Sequence, residues 1–251
     1  MSRRFKPYKK ESDYSYSLGL FPTIELTRYQ SKRVEALLFS QSSEKSEMAD
    51  RLKQLCYNSN IPVIIDDKQL SSLSKSDNSL VAGVFSKYTS ILSASESHIV
   101  LVEPDDMGNI GTIIRSMLGF GYRDLAIIGQ SADYWHPKCI RASMGALFRQ
   151  RVALFSTIEE YQRSFPKHNI YPFIVDDKAQ KLSTISFSAP HSLVFGNEGA
   201  GLPPAFSHIG TPVFIEQAPD IDSLNLATSV SIAMHTVYTR IARGSESAQV
   251  S

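Results

Sequence analysis

Residues 98–129 have the pattern of a βαβ unit. The segment opens on the apolar run IVLVE (99–103) and closes on a second one, LAIIG (125–129). Between these runs, apolar side chains recur at helical spacing, at Ile110, Ile113, Ile114, Met117 and Leu118. The pattern predicts a helix that packs one stripe against a sheet, with Arg115 projecting off that stripe. Since a crossover helix joins strands that run parallel, we expect a parallel sheet in this part of the chain.

Further apolar runs predict that this sheet continues toward the carboxyl end of the chain. They are YPFIV (171–175), SLVFG (192–196) and PVFI (212–215). Helical patterns separate several of them, and a last long helix is predicted over about 223–243. The predicted fold class is therefore α/β, with a mostly parallel sheet covered on both faces.

The amino-terminal part of the chain predicts a smaller α/β domain. A helical pattern from Arg28 runs through Val34, Leu37 and Leu38, a second helix is expected over 46–58, and 61–65 and 80–85 are typical of strands. The Ser-rich stretch 86–97 predicts a domain boundary. The expected organisation is a flexible basic arm (1–22), a small domain (23–90), a linker (91–97), a large domain (98–245) and a disordered tail (246–251).

The predicted arm concentrates positive charge near the amino terminus. Five cations stand there with two aromatic rings between them, at Arg3, Arg4, Lys6, Lys9 and Lys10. Such a segment could contact phosphates while Phe5 and Tyr8 stack on bases. The alternative is a solvated, disordered tail, and composition alone favours that alternative.

The composition excludes several classes of protein. The net charge of +1 gives no general signal of nucleic-acid binding. No run reaches the roughly 18 apolar residues of a membrane helix, and the start MSRRFKPYKK lacks the apolar core of a secretory signal. We therefore expect a cytoplasmic protein without membrane contact. Cys56 and Cys139 lie far apart with no zinc-binding spacing, so we predict inert thiols and no metal site.

Three polar loops follow or adjoin the ends of predicted strands. They are EPDDMGNIGTIIR (103–115), FGNEGAGLP (195–203) and IDSLNLATS (221–229). The first lacks the G-x-G-x-x-G fingerprint and the second lacks the Lys-Ser or Lys-Thr of a P-loop, so a pyrophosphate cofactor is not expected. Each loop alone has a structural explanation: a glycine turn, or a helix cap at Asn109 or Ser223. A simple glycine turn, however, has no need of the Glu198 carboxylate.

In order and spacing, the three loops resemble the three motifs of the SpoU family, also called TrmH, in the SPOUT class of RNA methyltransferases. The first motif, N-x-G-x-x-x-R, corresponds to Asn109, Gly111 and Arg115. The second, G-x-E-x-x-G-L, corresponds to Gly196, Glu198, Gly201 and Leu202. The third, S-L-N, corresponds to Ser223, Leu224 and Asn225. A further segment, RASMGALFR (141–149), looks like the family's S-x-G-A element at Ser143, Gly145 and Ala146.

The resemblance covers roughly 98–243 and implies a fold, a cofactor and a set of site residues. It implies a deep trefoil knot that binds S-adenosyl-L-methionine, and a homodimer whose interface adjoins the site. The implied cofactor-binding residues are Phe195, Gly196, Asn197, Gly199, Gly201, Ile215 and Leu224. The implied catalytic residues are Asn109, Arg115, Glu198, Ser223 and Asn225. More weakly, 28–90 resembles the small ribosomal-protein-like substrate-binding domain that precedes many such domains.

One departure from the family pattern concerns the cofactor side of the site. Family members often carry Pro-Met after the Ile of the fifth strand, whereas this chain has Glu216 and Gln217 after Ile215. The linker from there to the S-L-N segment is also longer. Contacts to the methionine part of the cofactor are therefore left open by the sequence.

The implied reaction is transfer of the cofactor's methyl group to a ribose 2′-hydroxyl of structured RNA. We favour 23S ribosomal RNA over transfer RNA because of the auxiliary domain. Neutralising an arginine at pH 7 costs about 8 kcal/mol, so we expect Arg115 to hold a phosphate and polarise the hydroxyl rather than take a proton. Two other hypotheses stay open: an inactive RNA-binding protein of the same fold, and a nicotinamide oxidoreductase, which would lack its phosphate fingerprint.

Overall fold

The structure is a computed structural model that describes residues 4–74, 79–176 and 178–248, with the backbone alone at 44–45 and 241–248. In chain order its strands and helices are β1 (Tyr14–Leu18), α1 (Leu20–Tyr29), β2 (Val34–Phe39), α2 (Glu47–Asn58), β3 (Val63–Ile65), α3 (Asp67–Leu73), β4 (Val81–Ser86), β5 (His98–Val102), α4 (Met107–Gly119), β6 (Asp124–Ile128), α5 (Pro137–Ala142), β7 (Arg151–Phe155), α6 (Ile158–Ser164), β8 (Asn169–Pro172), β9 (Gln180–Lys181), β10 (His191–Phe195), β11 (Val213–Phe214) and α7 (Leu226–Ala248).

The chain divides into two compact units, and the smaller one is built on a four-stranded sheet. This small unit comprises 1–88 and 133–149, and the large unit comprises 89–132 and 150–251. The strand order of the small sheet is β1-β4-β2-β3, with β1 and β2 antiparallel to β4 and β3 parallel to β2. Both faces are buried, because Leu38 packs in a cluster on one side and Leu37 and Phe39 pack on the other, where α2 covers them.

The helix that we predicted from Arg28 through Leu37 and Leu38 is wrong. Helix α1 ends at Tyr29, and the following apolar residues form β2. Strand β2 lies between β4 and β3, so side chains on both of its faces are buried. A short apolar run of this kind cannot be distinguished from a buried helix by its periodicity.

The flexible arm that we predicted over 1–22 is also wrong for the residues that the structure describes. Phe5 is buried, and its N–H donates to Gln69 Oε1 at 3.0 Å. The Tyr8 hydroxyl donates to the Asp133 carboxylate. Strand β1 and the start of α1 occupy 14–22, ahead of the predicted start of folded structure at Thr23. The rings between the cations therefore anchor this segment; 1–3, including Arg3, lie outside the described residues.

The large unit is built on a five-stranded parallel sheet in the order β7-β6-β5-β10-β8. The predicted βαβ unit is confirmed as β5, α4 and β6, with Arg115 exposed on α4. Four residues of the predicted stripe are fully buried: Ile110, Ile113, Ile114 and Met117. The chain runs outward from β5 through β6 and β7, then adds β8 and β10 on the other side of β5. The strand order therefore reverses between β5 and β10, the position at which parallel sheets place ligands.

Two of the predicted domain boundaries differ from the structure. Residues 133–149, which we assigned to the large domain, pack in the small unit, where α5 lies against β1. Gly145 has a φ of +80° there, and a Cβ at this position would lie 2.8 Å from the Cα atom of Pro22. The predicted linker over 91–97 is also part of a core, because Leu92 is buried in the large unit and the Ser93 N–H donates to Asp124 Oδ1 at 3.0 Å.

The last helix differs from its prediction at both ends. Helix α7 begins at Leu226 and extends to Ala248, through part of the tail that we predicted to be disordered. Residues 249–251 lie outside the described part of the chain. One side of α7 packs inward, and its residues Leu226, Val230, Ala233, Met234 and Val237 are buried.

Neither a membrane helix nor a metal centre is found among the residues that the structure describes. No described helix is long and apolar enough to cross a membrane. No group of three or more His, Cys, Asp or Glu side chains in the described part of the chain could hold a metal ion. Both cysteines are buried and neither forms a disulfide with a residue of the described part of the chain, and burial raises the pKa of the Cys56 thiol to about 11. The reactive thiolate form of Cys56 is therefore scarce at neutral pH.

Candidate functional site

A cavity of about 610 Å³ opens beyond the carboxyl ends of β8, β10 and β11. Its walls are the loops that follow these strands and the segment that leads into α7. The lining includes every predicted cofactor-binding position, namely Phe195, Gly196, Asn197, Gly199, Gly201, Ile215 and Leu224. Two of the five predicted catalytic residues, Glu198 and Ser223, line it as well. The fold therefore brings two of the three predicted loops together at one concave surface.

The loop after β10 folds back on itself so tightly that only glycine fits at position 196. A Cβ on Gly196 would lie 2.1 Å from the carbonyl carbon of Gly201 and 2.2 Å from its oxygen. Gly201 adopts the left-handed region, with a φ of +67°. Asn197 and Gly201 exchange two backbone hydrogen bonds of 3.2 and 3.0 Å. The loop thus presents its backbone to the cavity. The trefoil knot that the resemblance implies stays a prediction.

Asn197 fixes the shape of this loop and ties it to the loop after β5. Its Oδ1 atom accepts from the Gly199 N–H at 2.8 Å and from the Ala200 N–H at 3.1 Å. Its Nδ2 atom donates to the carbonyl oxygen of Glu103 at 2.8 Å. Both the oxygen and the nitrogen of this amide therefore have hydrogen-bond partners, and these bonds fix the positions of the two loops relative to each other.

Glu198 forms the second connection between the same two loops. Its Oε2 atom accepts from the Asp105 N–H at 3.1 Å, and its Oε1 atom accepts from the Asp106 N–H at 3.3 Å and from Asn109 Nδ2 at 3.0 Å. The carboxylate lies at the amino terminus of α4, where the helix dipole favours negative charge. With three donors on its two oxygens, Glu198 is placed to position other groups.

Asn109 continues this line of hydrogen bonds to the third loop. Its Oδ1 atom accepts from Asn225 Nδ2 at 3.1 Å. Asn225 Oδ1 in turn accepts from the N–H groups of Ala227 at 2.9 Å and Thr228 at 3.3 Å, which fixes the orientation of the Asn225 amide. Glu198, Asn109 and Asn225 therefore join all three predicted loops, and each amide has its polar atoms directed by a partner.

The helix caps that offered a simpler explanation for Asn109 and Ser223 belong to other residues. Helix α4 is capped by Asp106, whose Oδ1 atom accepts from the Asn109 N–H at 2.7 Å. Helix α7 is capped by Asn225. The alternative in which Ser223 only caps the last helix does not hold, since Ser223 lies before the cap and is exposed at the cavity.

A second concave surface, a groove of about 490 Å³, runs between α4 and α7. Its lining consists of Asn109, Thr112, Asn225, Ala227, Thr228, Ser231, Ile232 and His235. Arg115 follows Thr112 by one helical turn and is exposed, so it lies beside this groove. Its guanidinium forms no hydrogen bond or ion pair with the residues that the structure describes, and is available to an anionic ligand.

A model of the SpoU rRNA Methylase family matches residues 96–235, more than half of the chain. The chain belongs to the SpoU rRNA methylase family. It is 32% identical over 136 residues to Ribosomal RNA small subunit methyltransferase G 2 of Syntrophobacter fumaroxidans, covering 54% of this chain and 26% of that protein. It is 29% identical over 144 residues to the 23S rRNA (uridine(2479)-2'-O)-methyltransferase of Streptomyces viridochromogenes, covering 55% of this chain and 50% of that protein. The chain thus spans half or less of these curated relatives.

Similarity to a solved structure extends beyond the matched region. The AdoMet-bound rRNA methyltransferase from Sinorhizobium meliloti superposes with a TM-score of 0.78 at 24% identity, covering 92% of this chain and 88% of that one. At this level of identity the similarity supports the fold alone. The predicted α/β class with a mostly parallel sheet is confirmed.

The family's S-x-G-A element belongs to the small unit. Ser143 Oγ donates to the Ile140 carbonyl oxygen at 2.7 Å, and Gly145 is packed against α1. Both residues belong to 133–149, which the small unit contains. In this chain the element therefore has a packing role.

Two parts of the cavity wall were not predicted from the sequence. One is the segment after β8, where Phe173 stacks on Phe195 with ring centroids 4.4 Å apart and where Asp176 lines the cavity. The polar residues that follow the apolar run 171–175 were a signal for it. The other is Gln217, whose Nε2 atom donates to carbonyl oxygens of the linker that leads to Ser223. No local pattern marks that role, because it depends on the path of the linker.

Proposed function

We propose that the protein is an S-adenosyl-L-methionine-dependent methyltransferase that modifies a ribose 2′-hydroxyl of 23S ribosomal RNA. The observation that carries the proposal is the charge of the large cavity. Its described lining contains Asp176, Glu198 and Asp222 and no Lys or Arg. S-adenosylmethionine has a cationic sulfonium and no phosphate, so it fits this lining, whereas a pyrophosphate would meet carboxylates and no cation. The same charge argues against a nicotinamide oxidoreductase.

The cavity is suited to hold this cofactor through its backbone. Its volume lies in the range of small-molecule sites, roughly 300–1,000 Å³. Backbone groups of Gly196, Ile215 and Leu224 would hold the adenine, since the close crossing of Gly196 and Gly201 leaves the backbone of this loop facing the cavity. When bound, the cofactor supplies an electrophilic methyl group. The protein's task is then to present a hydroxyl oxygen in line with that methyl group.

The groove between α4 and α7 is our candidate for the target ribose. It adjoins the large cavity, because both reach the first turn of α7. Asn109 and Asn225 line the groove with their amides fixed by hydrogen bonds, so they can orient the 2′-hydroxyl. Arg115, beside the groove, would hold the neighbouring phosphate and stabilise charge on the oxygen as the proton leaves. Ser223 adds a free hydroxyl at the cavity.

Ribosomal RNA is supported as the substrate by the family and by the printed functions of relatives. One relative acts on a uridine 2′-oxygen of 23S rRNA and another, from Streptomyces laurentii, on an adenosine 2′-oxygen of 23S rRNA. The site residues Asn109, Arg115, Glu198, Ser223 and Asn225 are all present, which argues against an inactive RNA-binding protein.

The small unit would supply affinity for the RNA and choose the target. Arg4, Lys6, Lys9 and Lys10 are exposed on a segment that Phe5 and Tyr8 anchor to this unit. Anchored cations can contact phosphates without the cost of ordering a free tail on binding. The likeness of this unit to a ribosomal-protein-like domain stays part of the proposal.

The proposal includes a homodimer and a cytoplasmic location. Helix α7 exposes Ile232 and Tyr238, and the Phe120 ring lies beside that face, 6.0 Å from the Tyr238 ring. Ile232 also lines the groove, so a partner chain covering this face would adjoin the site. An Ile232→Asp variant should be monomeric by light scattering while its circular dichroism stays that of the wild type. A dimer of unchanged stability would contradict this interface.

Calorimetry and methyl transfer test the function together. We expect the purified full chain to bind S-adenosylmethionine and to transfer labelled methyl groups to 23S rRNA, at a 2′-oxygen when the product is mapped. Arg115→Ala should abolish transfer, whereas Arg163→Ala, a change of an exposed arginine on α6, should leave it intact.

Each other outcome rejects a defined part of the proposal. Label in transfer RNA would reject the ribosomal substrate while keeping the reaction. Cofactor binding without transfer to any RNA would favour the inactive protein. Absence of cofactor binding would reject the enzyme altogether.

A further inference from the structure

Gln217 closes the linker between β11 and α7 into a compact loop. Its Nε2 atom donates to the Ile221 carbonyl oxygen at 3.3 Å and to the Asp222 carbonyl oxygen at 3.2 Å. The intervening residues 218–221 form neither helix nor strand. The side chain of Gln217 is thus a direct link from the end of β11 to the residues immediately before Ser223.

The residues next to this loop are held from the opposite direction. Glu216 accepts hydrogen bonds from the N–H of Ser183, at 3.4 Å, and from the Ser183 hydroxyl. Although partial burial opposes ionisation, these hydrogen bonds leave the pKa of the Glu216 carboxyl below its ordinary value. Arg240 of α7 donates to the carbonyl oxygens of Leu182 at 2.8 Å and Ser183 at 2.7 Å. Helix α7, the turn at 182–183 and the end of β11 are therefore linked through Glu216.

Because Glu216 holds the end of β11, the path of the linker beyond it depends on Gln217. Ile215, Gln217, Asp222, Ser223 and Leu224 all line the large cavity. A loop that moved at 218–222 would carry Ser223 and Leu224 away from the wall. Glu216 and Gln217, the two residues that depart from the family's Pro-Met pattern, therefore both stabilise this wall. Glu216 binds Ser183, and Gln217 binds the carbonyl oxygens just before Ser223.

We propose that Gln217 is a positioning residue that sets the S-adenosylmethionine-binding wall before the cofactor arrives. The inference rests on the function proposed above. Gln217 holds the linker with two side-chain hydrogen bonds, so the loop loses little conformational entropy when the ligand binds. Removal of these bonds should weaken binding more than turnover, because the reacting oxygen is held by other residues.

The test compares Gln217→Ala and Gln217→Glu with the wild-type full chain by calorimetry with S-adenosylmethionine and by hydrogen exchange without it. We expect Kd to rise about tenfold in Gln217→Ala, given two net hydrogen bonds, with kcat at saturating cofactor near the wild-type value. Backbone amides of 218–225 should exchange faster in the ligand-free variant. Gln54→Ala, which removes one side-chain amide hydrogen bond on α2, is the matched control and should change neither quantity.

Gln217→Glu gives the sharper readout, because it keeps the shape and removes the donor at neutral pH. A carboxylate facing two carbonyl oxygens should weaken cofactor binding at least as much as alanine does, and protonation near about pH 5 should restore part of the affinity. Gln217→Ala should show no such recovery. Unchanged Kd and unchanged exchange in both variants would overturn the inference, as would equal losses of kcat and affinity. Wild-type protein that fails to bind S-adenosylmethionine would instead reject the function itself.

Discussion

Glu198 was predicted as a catalytic residue, and its contacts define a more specific task. The carboxylate accepts from two backbone N–H groups ahead of α4 and from the Asn109 side chain. A general base needs a free lone pair aimed at the substrate hydroxyl, and here the oxygens face the protein. Glu198 therefore orients Asn109, which in turn orients Asn225. The side-chain amides of Asn109 and Asn225, rather than the Glu198 carboxylate, line the groove.

Replacing Gly196 should destabilise the large unit, and a second glycine in the same loop provides the control. Gly196→Ala forces a methyl group into the Gly201 backbone, so we expect a loss of about 2–3 kcal/mol in the free energy of unfolding. In Gly199→Ala the new Cβ would lie 3.5 Å from Asn197 Oδ1, an ordinary contact, and the change should stay within about 0.5 kcal/mol. Urea unfolding measures both. Equal effects would contradict the close crossing of Gly196 and Gly201.

Arg115→Lys tests whether the guanidinium holds a phosphate. Lysine keeps the charge but cannot form the paired hydrogen bonds of a guanidinium, so we expect kcat/KM to fall about 10- to 100-fold. Binding of S-adenosylmethionine should stay unchanged, since Arg115 does not line the large cavity. Single-turnover kinetics with Arg163→Lys as the control would measure the difference. Wild-type turnover in Arg115→Lys would reject the role.

The elements that the sequence predicted are those whose pattern is complete within one segment. Helix α4 shows its buried stripe in its own residues, and β5 and β6 are short apolar runs beside it. The sequence of β2 predicts a helix as readily as a strand, because the burial of this strand depends on two neighbouring strands that pair with it. The packing of 133–149 in the small unit depends on contacts such as that of Gly145 with Pro22, which no local pattern carries.

The candidate site, like the fold, could be predicted only where a pattern is complete within one segment. Its three loops were predicted, because each carries a motif of fixed spacing. The role of Gln217 and the wall at 173–176 were missed, because they arise from chain paths that bring distant residues together. The cap of α7 could not be assigned from the sequence for a related reason: Ser223 and Asn225 are both good capping residues, and only the backbone decides between them.

The anchored segment at the amino terminus gives a prediction for RNA binding. A Lys6→Gln, Lys9→Gln, Lys10→Gln variant should bind rRNA more weakly. The slope of log K against log salt should fall by about 0.7–0.9 for each lysine that contacts a phosphate. Filter binding at several salt concentrations measures the slope, and Lys167→Gln, an exposed cation of the large unit, is the control. An unchanged slope would show that these lysines do not meet the RNA backbone.

Far from the candidate site, at the amino ends of the parallel strands, the large unit buries three histidines. They are His98, His168 and His191, each nearly inaccessible to solvent. The rings of His98 and His168 share a hydrogen-bond network, whereas His191 Nε2 lies 2.7 Å from the Tyr122 hydroxyl. In that network His98 Nδ1 lies 2.8 Å from the Tyr161 hydroxyl, and that hydroxyl lies 2.6 Å from Ser192 Oγ. His168 Nδ1 lies 2.9 Å from the same Ser192 oxygen. Nothing in this network requires a charged imidazole, although Asp124 and Arg151 form an ion pair close by.

These buried histidines should make the stability of the whole molecule depend on pH. Burial lowers the pKa of His98 to about 4, with the nearby His168 acting in the same direction, and burial lowers the pKa of His191 to about 4. The unfolded chain has ordinary histidines with a pKa of about 6.5, so between pH 4 and pH 6.5 the unfolded state binds more protons than the folded state. Stability is therefore complete above about pH 6.5 and is lost as the pH falls toward 4, by on the order of 3 kcal/mol for each histidine.

Urea unfolding from about pH 8 to pH 4.5 would measure this dependence, and one substitution identifies its source. His191→Phe removes one titrating ring and places an apolar ring beside Tyr171 and Phe187, so we expect about half of the acid loss to disappear. His208→Gln, at an exposed histidine, should leave the curve unchanged. If the free energy of unfolding were the same at pH 8 and pH 5, the folded state would have to hold these rings charged. Their neighbours offer each ring mainly hydroxyls, carbonyl oxygens and other rings, and His191 Nδ1 has no partner among the described residues to accept the added proton's hydrogen bond.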